Sequence, residues 1–312
     1  MPVTSAFDAS STALDVVAGL DLSGRRALVT GGAGGMGREI AHALASAGAH
    51  VVIADVDEAP LREASDALGL PAMRLDLASF AAIQRFAQAW RGEHDRLDML
   101  VANAGVMACP LARSADGHEL QFAVNYLGHW LLARELLPAL EAGSDRHGEA
   151  RVVSVSSIAH RRSGIVFEDI DYRARDYDRW EAYGQSKTAC ALFAVAATER
   201  LAAQGVTCNA LNPGGAFTGL MRHLSPEELR AQGWLDENGQ VPSRWRSAAQ
   251  CASTATWAAT APALRGIGGL YLEECREAEP WDAAQPMRGV QPHARNPATA
   301  HRLWELSEAL TA

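Results

Sequence analysis

Arg26-Ala27-Leu28-Val29-Thr30-Gly31-Gly32-Ala33-Gly34-Gly35-Met36-Gly37 is the stretch on which the reading of the chain turns. Its apolar first half reads as a buried strand that runs straight into glycines. After Gly37, the residues Ile40, Ala41, Leu44, Ala45 and Ala47 recur at helical spacing until Gly48 stops them. A second apolar strand, Val51-Val52-Ile53-Ala54, ends on Asp55. Strand, glycine loop, helix, strand and acid in that order make a βαβ unit suited to a dinucleotide. Glycines let the backbone turn tightly and approach a pyrophosphate. The helix N-terminus offers unpaired N–H groups and a partial positive charge. Asp55 is placed to accept hydrogen bonds from ribose hydroxyls. The spacing alone leaves three registers open: Gly32/Gly34/Gly37, Gly31/Gly34/Gly37 and Gly31/Gly35/Gly37.

The alternation continues outward. Leu61 to Leu68 reads as helix, Ala72 to Leu75 as strand with Asp76-Leu77 at its end, and Ser79 as the cap of a helix through Trp90. Leu97 to Ala102 is a strand ending in Asn103-Ala104-Gly105. Leu120 to Leu140 is expected as one long helix carrying Asn125, with Pro138 near its end. Arg151 to Val155 is a strand entering Ser156-Ser157, and Thr207 to Leu211 a strand entering Asn212-Pro213-Gly214. A helix over Gln250 to Ala259, a short strand over Gly269 to Leu272 and a helix capped by Asn296-Pro297 close the chain. The expected fold is α/β: a single-domain Rossmann fold over residues 1–312, with a doubly wound parallel sheet of about seven strands and helices on both faces. Right-handed crossovers bring the strand-end motifs to one edge, where ligands bind.

Trp180-Glu181-Ala182-Tyr183-Gly184-Gln185-Ser186-Lys187 opens an apolar run to Ala197 that suits a helix. There Tyr183 and Lys187 share a face, one turn apart. A fixed ammonium about 5 Å from a phenol favours the phenolate by roughly 3 kcal/mol at an effective dielectric near 20, which suits general acid/base work.

Composition narrows the class. Across 312 residues the net charge is −9, which argues against a nucleic-acid partner. The chain is 48% hydrophobic and 21% charged, as expected of a soluble globular protein. Met1 to Ser11 lacks a signal-peptide pattern, and the longest apolar run is too short for a membrane span, so a cytoplasmic protein is expected. The five cysteines are scattered, and no cluster of ligands suggests a metal.

These motifs together resemble the short-chain dehydrogenase/reductases over nearly the whole chain. The matching residues are Thr30-Gly31-x-x-x-Gly35-x-Gly37, Asp76-Leu77, Asn103-Ala104-Gly105, Asn125, Ser157, Tyr183-x-x-x-Lys187 and Pro213-Gly214-x-x-x-Thr218. Phe122 to His129, Val155 to His160 and Gly269 to Cys275 are similar to the branch of retinol dehydrogenases and WW-domain oxidoreductases. The resemblance implies the register Gly31/Gly35/Gly37, with cofactor contacts extending to Met36, Asp55, Asp76, Leu77, Asn103, Ala104, Gly105, Pro213, Gly214, Ala216 and Thr218. It implies that Tyr183 passes the proton and Lys187 supports it while holding the nicotinamide ribose. Ser157 would polarise the substrate oxygen, and Asn125 would fix a water or a backbone contact behind Lys187. His129 and His160 would be structural. Dimers or tetramers would form by packing the helices that hold Asn125 and Tyr183.

The chain departs from that branch at Asp55, where many relatives place an arginine for the phosphate of NADP. NAD is therefore the expected cofactor. Residues 216–246, with Phe217, Leu220, Met221, Leu224, Trp234, Leu235 and Trp245, are expected to form an apolar lid. The expected reaction is hydride exchange between NAD and a hydrophobic or aromatic alcohol, ketone or aldehyde. A nucleotide-sugar epimerase or dehydratase and a non-catalytic NAD-binding regulator are the alternatives. The charged stretch 161–179 reads as a solvated loop, a wall of the mouth or an oligomer contact.

Overall fold

The computed structural model describes residues 2–312. Its centre is one sheet of β1 (Arg26–Thr30), β2 (His50–Asp55), β3 (Ala72–Arg74), β4 (Met99–Ala102), β5 (Ala150–Val155), β6 (Val206–Asn212), β7 (Tyr271–Glu273) and β8 (Arg276–Glu277). The order across the sheet is β3-β2-β1-β4-β5-β6-β7-β8. Seven strands run parallel, and the two-residue β8 pairs antiparallel to β7, so the expected seven gain a short eighth. Chain order reverses between β1 and β4. At such a reversal the crossovers leave to opposite faces and open a crevice at the strands' carboxyl ends.

Each face is covered by its own apolar layer. Leu28, Val52, Phe86, Trp90 and Trp130 belong to one, and Val29, Ile40, Leu44, Val51 and Trp257 to the other. Both faces of the inner strands are therefore buried, which explains their apolar runs, whereas the edge strands β3 and β8 are largely exposed.

Two expectations about helices are corrected. Leu120 to Leu140 is not one helix. It starts at Leu120–Phe122, widens into a π turn at Ala123–Leu127, continues as Gly128–Glu135 and restarts as Leu137–His147. Pro138 sits in the first turn of the last piece, because proline cannot donate into a helix interior but fits a helix start. The π turn places Asn125 and is taken up below. The amphipathic piece from Ala13 stops at Val17 rather than Leu20, two residues before Gly19 at φ +78°. The polar lead-in is also tied down: Val3 O accepts from Glu277 N at 2.8 Å, and Ser5 Oγ donates to Cys275 O at 2.7 Å.

The closing helix, Pro297–Leu310, lies against Arg179–Arg200 and Gly128–Glu135. Trp304 meets Trp130 edge-on at 5.5 Å and stacks on Phe193 at 6.2 Å; Tyr126 Oη and Ser307 Oγ are 2.7 Å apart. This is the face through which the resemblance implies subunit packing, and the chain's own C-terminal helix covers it. Among the described residues, no helix is long and apolar enough to cross a membrane.

Candidate active site

The strand-end motifs open into one cavity of about 1100 Å³. Gly31, Gly35, Met36, Asp55, Asp76 and Leu77 line one end. Asn103, Ala104, Gly105, Ser157, Tyr183 and Lys187 line the middle, and Pro213, Gly214, Ala216 and Thr218 the far side. Of the expected site residues, Gly37 and Asn125 do not reach its surface, and both act from behind it.

Steric demand selects the glycine register. Gly31 and Gly35 have φ of +68° and +52°, the left-handed region that favours glycine. A Cβ on Gly37 would stand 2.1 Å from Gly31 O. Gly34, which the two other registers need, has extended backbone and open space around it. No side chain caps the helix Gly35–Ser46, so its first N–H groups remain free at the cavity. Asn103 stitches the loop to β4, with Nδ2 donating to Thr30 O at 2.8 Å. Thr30 Oγ1 accepts from the N–H groups of Asn103 and Ala104, both at 3.0 Å. Asp55 accepts from Val56 N at 2.8 Å and Ala33 N at 3.3 Å. A free helix start, a loop too tight for side chains and a strand-end carboxylate fit a nicotinamide dinucleotide. The loop and helix would hold its pyrophosphate, and Asp55 its adenosine ribose.

The helix Arg179–Arg200 places the candidate chemistry. Asp178 caps it, accepting from Trp180 N and Glu181 N, each at 2.8 Å. Tyr183 and Lys187 are both buried, and Lys187 Nζ lies 5.8 Å from the centre of the Tyr183 ring. One Nζ proton is engaged by Val155 O at 2.8 Å. Ser157 Oγ accepts from Ala159 N at 3.1 Å, which leaves its own proton free to donate into the cavity. Asn125 makes the backbone contact: Oδ1 accepts from Val106 N at 2.8 Å, and Nδ2 donates to Val106 O and Ser186 Oγ, both at 2.9 Å. A Cβ on Gly105 would lie 3.0 Å from Asn125 Oδ1 and 3.8 Å from Lys187 Nζ, so the two flank one small space.

Two histidines set aside as structural do more than fill the core. His129 Nδ1 is 3.0 Å from Asn125 O, and Nε2 is 2.8 Å from Thr30 Oγ1. It bridges the glycine loop to the π turn. His160 Nε2 accepts from Gln291 N at 3.1 Å, so the ring proton sits on Nδ1 and is donated to Ser157 O at 2.8 Å. Tyr271 Oη donates to the same carbonyl at 3.1 Å. Burial pushes both histidines down to about 4, leaving them neutral. The signal for His129 was its place four residues after Asn125, on the same helix face. Tyr271 and Gln291 are far away in sequence and gave none.

The stretch 161–179 bonds largely to itself and its neighbours. The Asp169 carboxylate accepts from Arg173 N, Ala174 N and Arg175 N, at 2.7, 2.9 and 2.9 Å. None of its residues lines the cavity. Trp234 and Trp245 do line it, and their rings meet edge-on at 5.5 Å. Among the described residues, no group of three histidine, cysteine or acidic side chains could hold a metal ion.

A family model described as short chain dehydrogenase matches residues 25–229. The chain belongs to the short-chain dehydrogenase/reductase family. It is 45% identical over 305 residues to a probable oxidoreductase of Streptomyces antibioticus, covering 94% of this chain and all of that one. Mouse retinol dehydrogenase 13 is 37% identical over 300 residues, covering 93% of this chain and 84% of its own length. This short-chain dehydrogenase/reductase is thus an oxidoreductase of the retinol-dehydrogenase-like branch. Among solved structures, an uncharacterised Mycobacterium paratuberculosis protein superposes with a TM-score of 0.72 at 29% identity, over 97% of both chains. The Pseudomonas aeruginosa RhlG/NADP active-site complex gives 0.59 at 29% identity, over 80% of this chain and 91% of that one.

Proposed function

We propose that this short-chain dehydrogenase/reductase exchanges a hydride between NAD(H) and the CH–OH or carbonyl carbon of a hydrophobic or aromatic alcohol, ketone or aldehyde. The observation that carries this is the opening of Tyr183, Lys187 and Ser157 into the same cavity as the glycine loop and Asp55. The nicotinamide, when bound, supplies or takes the hydride. Every other part of the reaction falls to side chains. Tyr183 gives a proton to the substrate oxygen in reduction and takes it in oxidation. Ser157 donates its free hydroxyl proton to the same oxygen, favouring the charge that builds there. Lys187 lends positive charge to the phenol and keeps donors for the cofactor's ribose. Asn125 fixes the turn at Val106, which sets the cavity floor beside Lys187. Residues 216–246 serve as the lid of one dinucleotide-binding domain, with Trp234 and Trp245 excluding water from the hydride step.

NAD is the favoured cofactor over NADP. Asp55, Asp57 and Asp76 line the adenosine end. A 2′-phosphate beside the Asp55 carboxylate would be repelled by about 1 kcal/mol at 4 Å even in bulk water. NADP in the Pseudomonas complex belongs to that protein. The test is a panel of aromatic, terpenoid and aliphatic alcohols assayed for net reduction of NAD⁺ and NADP⁺. Net NADH formation, lost by at least about 10³-fold in Tyr183→Phe with NADH binding retained, is the expected result. Turnover at the wild-type rate in that variant, or a higher kcat/KM with NADP⁺, refutes the corresponding half. An epimerase would recycle its cofactor and form no net NADH.

A further inference from the structure

We propose that the substrate carries a carboxylate, and that Arg246 receives it. This rests on the redox reading above and names the kind of alcohol or ketone that the site serves. The cavity is divided by charge. Its carboxylates, Asp55, Asp57 and Asp76, lie at the adenosine end. Beyond Gly214 it is lined by Arg222, Arg244 and Arg246 and by no carboxylate. The chain as a whole has 37 acidic against 28 basic residues, so a basic mouth is not its average surface.

Arg246 is held in place. Its N–H donates to Gly215 O at 3.2 Å, within a short parallel bridge between Ala216 and Arg246. Its Nη2 reaches Glu274 Oε1 at 2.5 Å. Its Nη1 has no acceptor among the described residues and rests against Gly214, where a Cβ would be 2.9 Å away. Glu274 does not cancel the charge, because Arg288 bonds the same carboxylate and Arg276 lies 3.8 Å from it. Arg276 also lies within Coulombic reach of Asp8, so the unneutralised charge is that of Arg246 and Arg288 sharing the one Glu274 carboxylate. Arg222 and Arg244 donate only to the backbone carbonyls of Gly219 and Gly233. Glu274 and Cys275 form the two-residue β7–β8 turn with φ of +49° and +57°, and neither is glycine. That strain is kept where the carboxylate must reach Arg246.

Around this charge the walls are apolar: Met107, Leu220, Met221, Trp234 and Trp245. One end takes an acid and the rest takes a hydrophobic body. The class is therefore an aryl or long-chain hydroxy acid or keto acid. The carboxylate orients it by a charge-assisted pair with Arg246 and is unchanged by the reaction. At the carbinol carbon a hydride leaves for NAD⁺ and the hydroxyl proton for Tyr183, or the reverse.

The test compares 4-acetylbenzoate and 10-oxoundecanoate with their methyl esters. Reduction by NADH gives kcat/KM, and quenching of tryptophan fluorescence in the enzyme–NADH complex gives binding without turnover. A preference of about 10-fold or more for the acids is expected, shrinking at about 0.5 M salt. It should fall towards unity in Arg246→Gln. If that variant does not fold, the wild-type ratio still decides. Esters bound or reduced as well as acids, or no binding of either, overturn the proposal. So does Arg246→Gln weakening NADH binding with the ratio unchanged, since the arginine then serves the coenzyme. Acid-selective binding without reduction of any compound upholds this proposal and refutes the redox reading.

Discussion

Lowering the pH from 7.5 to 5 should loosen this protein through His129 and His160. Burial holds both at about 4 in the folded chain, against about 6.5 when unfolded. Because the folded value is the lower one, the unfolded chain takes up protons first as the pH falls. The stability that each neutral ring contributes is therefore complete above 6.5 and lost between 6.5 and 4. The gap amounts to about 3.4 kcal/mol for each histidine, of which about 2 kcal/mol is gone by pH 5. Asp169, held near 2 by backbone N–H groups, stays charged across this window. Glu119 and Glu273, raised by burial, act in the opposite sense, so the wild-type slope is not diagnostic alone. The assay is urea unfolding at pH 7.5 and 5.0 on wild type, His129→Asn and His160→Asn. Asparagine keeps an N–H donor but does not titrate. Each variant starts less stable, and its loss between the two pH values should be smaller than wild type by about 2 kcal/mol, or about 3 °C in Tm. Parallel curves for wild type and variants would show that these rings are not buried neutral, and the bridge from Thr30 to Asn125 would go with them.

Three further outcomes follow from the geometry. Gly37→Ala puts a methyl 2.1 Å from Gly31 O and 2.6 Å from Asn103 Nδ2, so the loop must move. Calorimetry should find NADH binding weaker by about 100-fold, the value of one or two lost charge-assisted bonds; unaltered binding would mean the loop does not hold the cofactor. Asp55→Ser replaces the charged ribose acceptor with a shorter neutral hydroxyl and removes the repulsion; kcat/KM with NADH should fall about 10-fold while that with NADPH rises, and an unchanged ratio would discount Asp55. Deleting Pro297 to Ala312 uncovers Trp130, Phe193 and Tyr126, and light scattering should report self-association; a deletion variant that stays in the state of the intact chain would deny that this helix guards the face.

The centre of the sheet was legible because its inner strands are buried on both sides and read as apolar runs, such as Val51 to Ala54 between Gly48 and Asp55. Caps were legible for a local reason. Ser79 and Asn296 each bond an N–H three residues on, so cause and effect lie within one turn. Helix continuity was not. Leu120 to Leu140 is mostly apolar, and periodicity does not register one extra residue inserted into a turn. The glycine register was also hidden, because three spacings fit seven residues; open space at Gly34 and a 2.1 Å clash at Gly37 are facts of the folded loop. Tyr183, Lys187 and Ser157 share a cavity as the motif order implied. Tyr271, Gln291 and Arg246 could not be found that way, since their partners Ser157, His160 and Glu274 lie 114, 131 and 28 positions away.

The π turn explains why the two halves of the cavity stay in register. Inserting one residue turns everything beyond it by about 100° about the helix axis. Asn125 can therefore face Val106 and Ser186 while Tyr126 and Trp130 face the closing helix. His129 completes the arrangement by reaching Asn125 O with one nitrogen and Thr30 with the other. Thr30 in turn holds the N–H groups of Asn103 and Ala104. A shift of the glycine loop is thus felt at Asn125 through two side chains, and at Gly105, which separates Asn125 from Lys187. The glycine loop and the Asn125 turn are held by one bonded path from β1, and a neutral ring at its centre is what lets that path run through an apolar core.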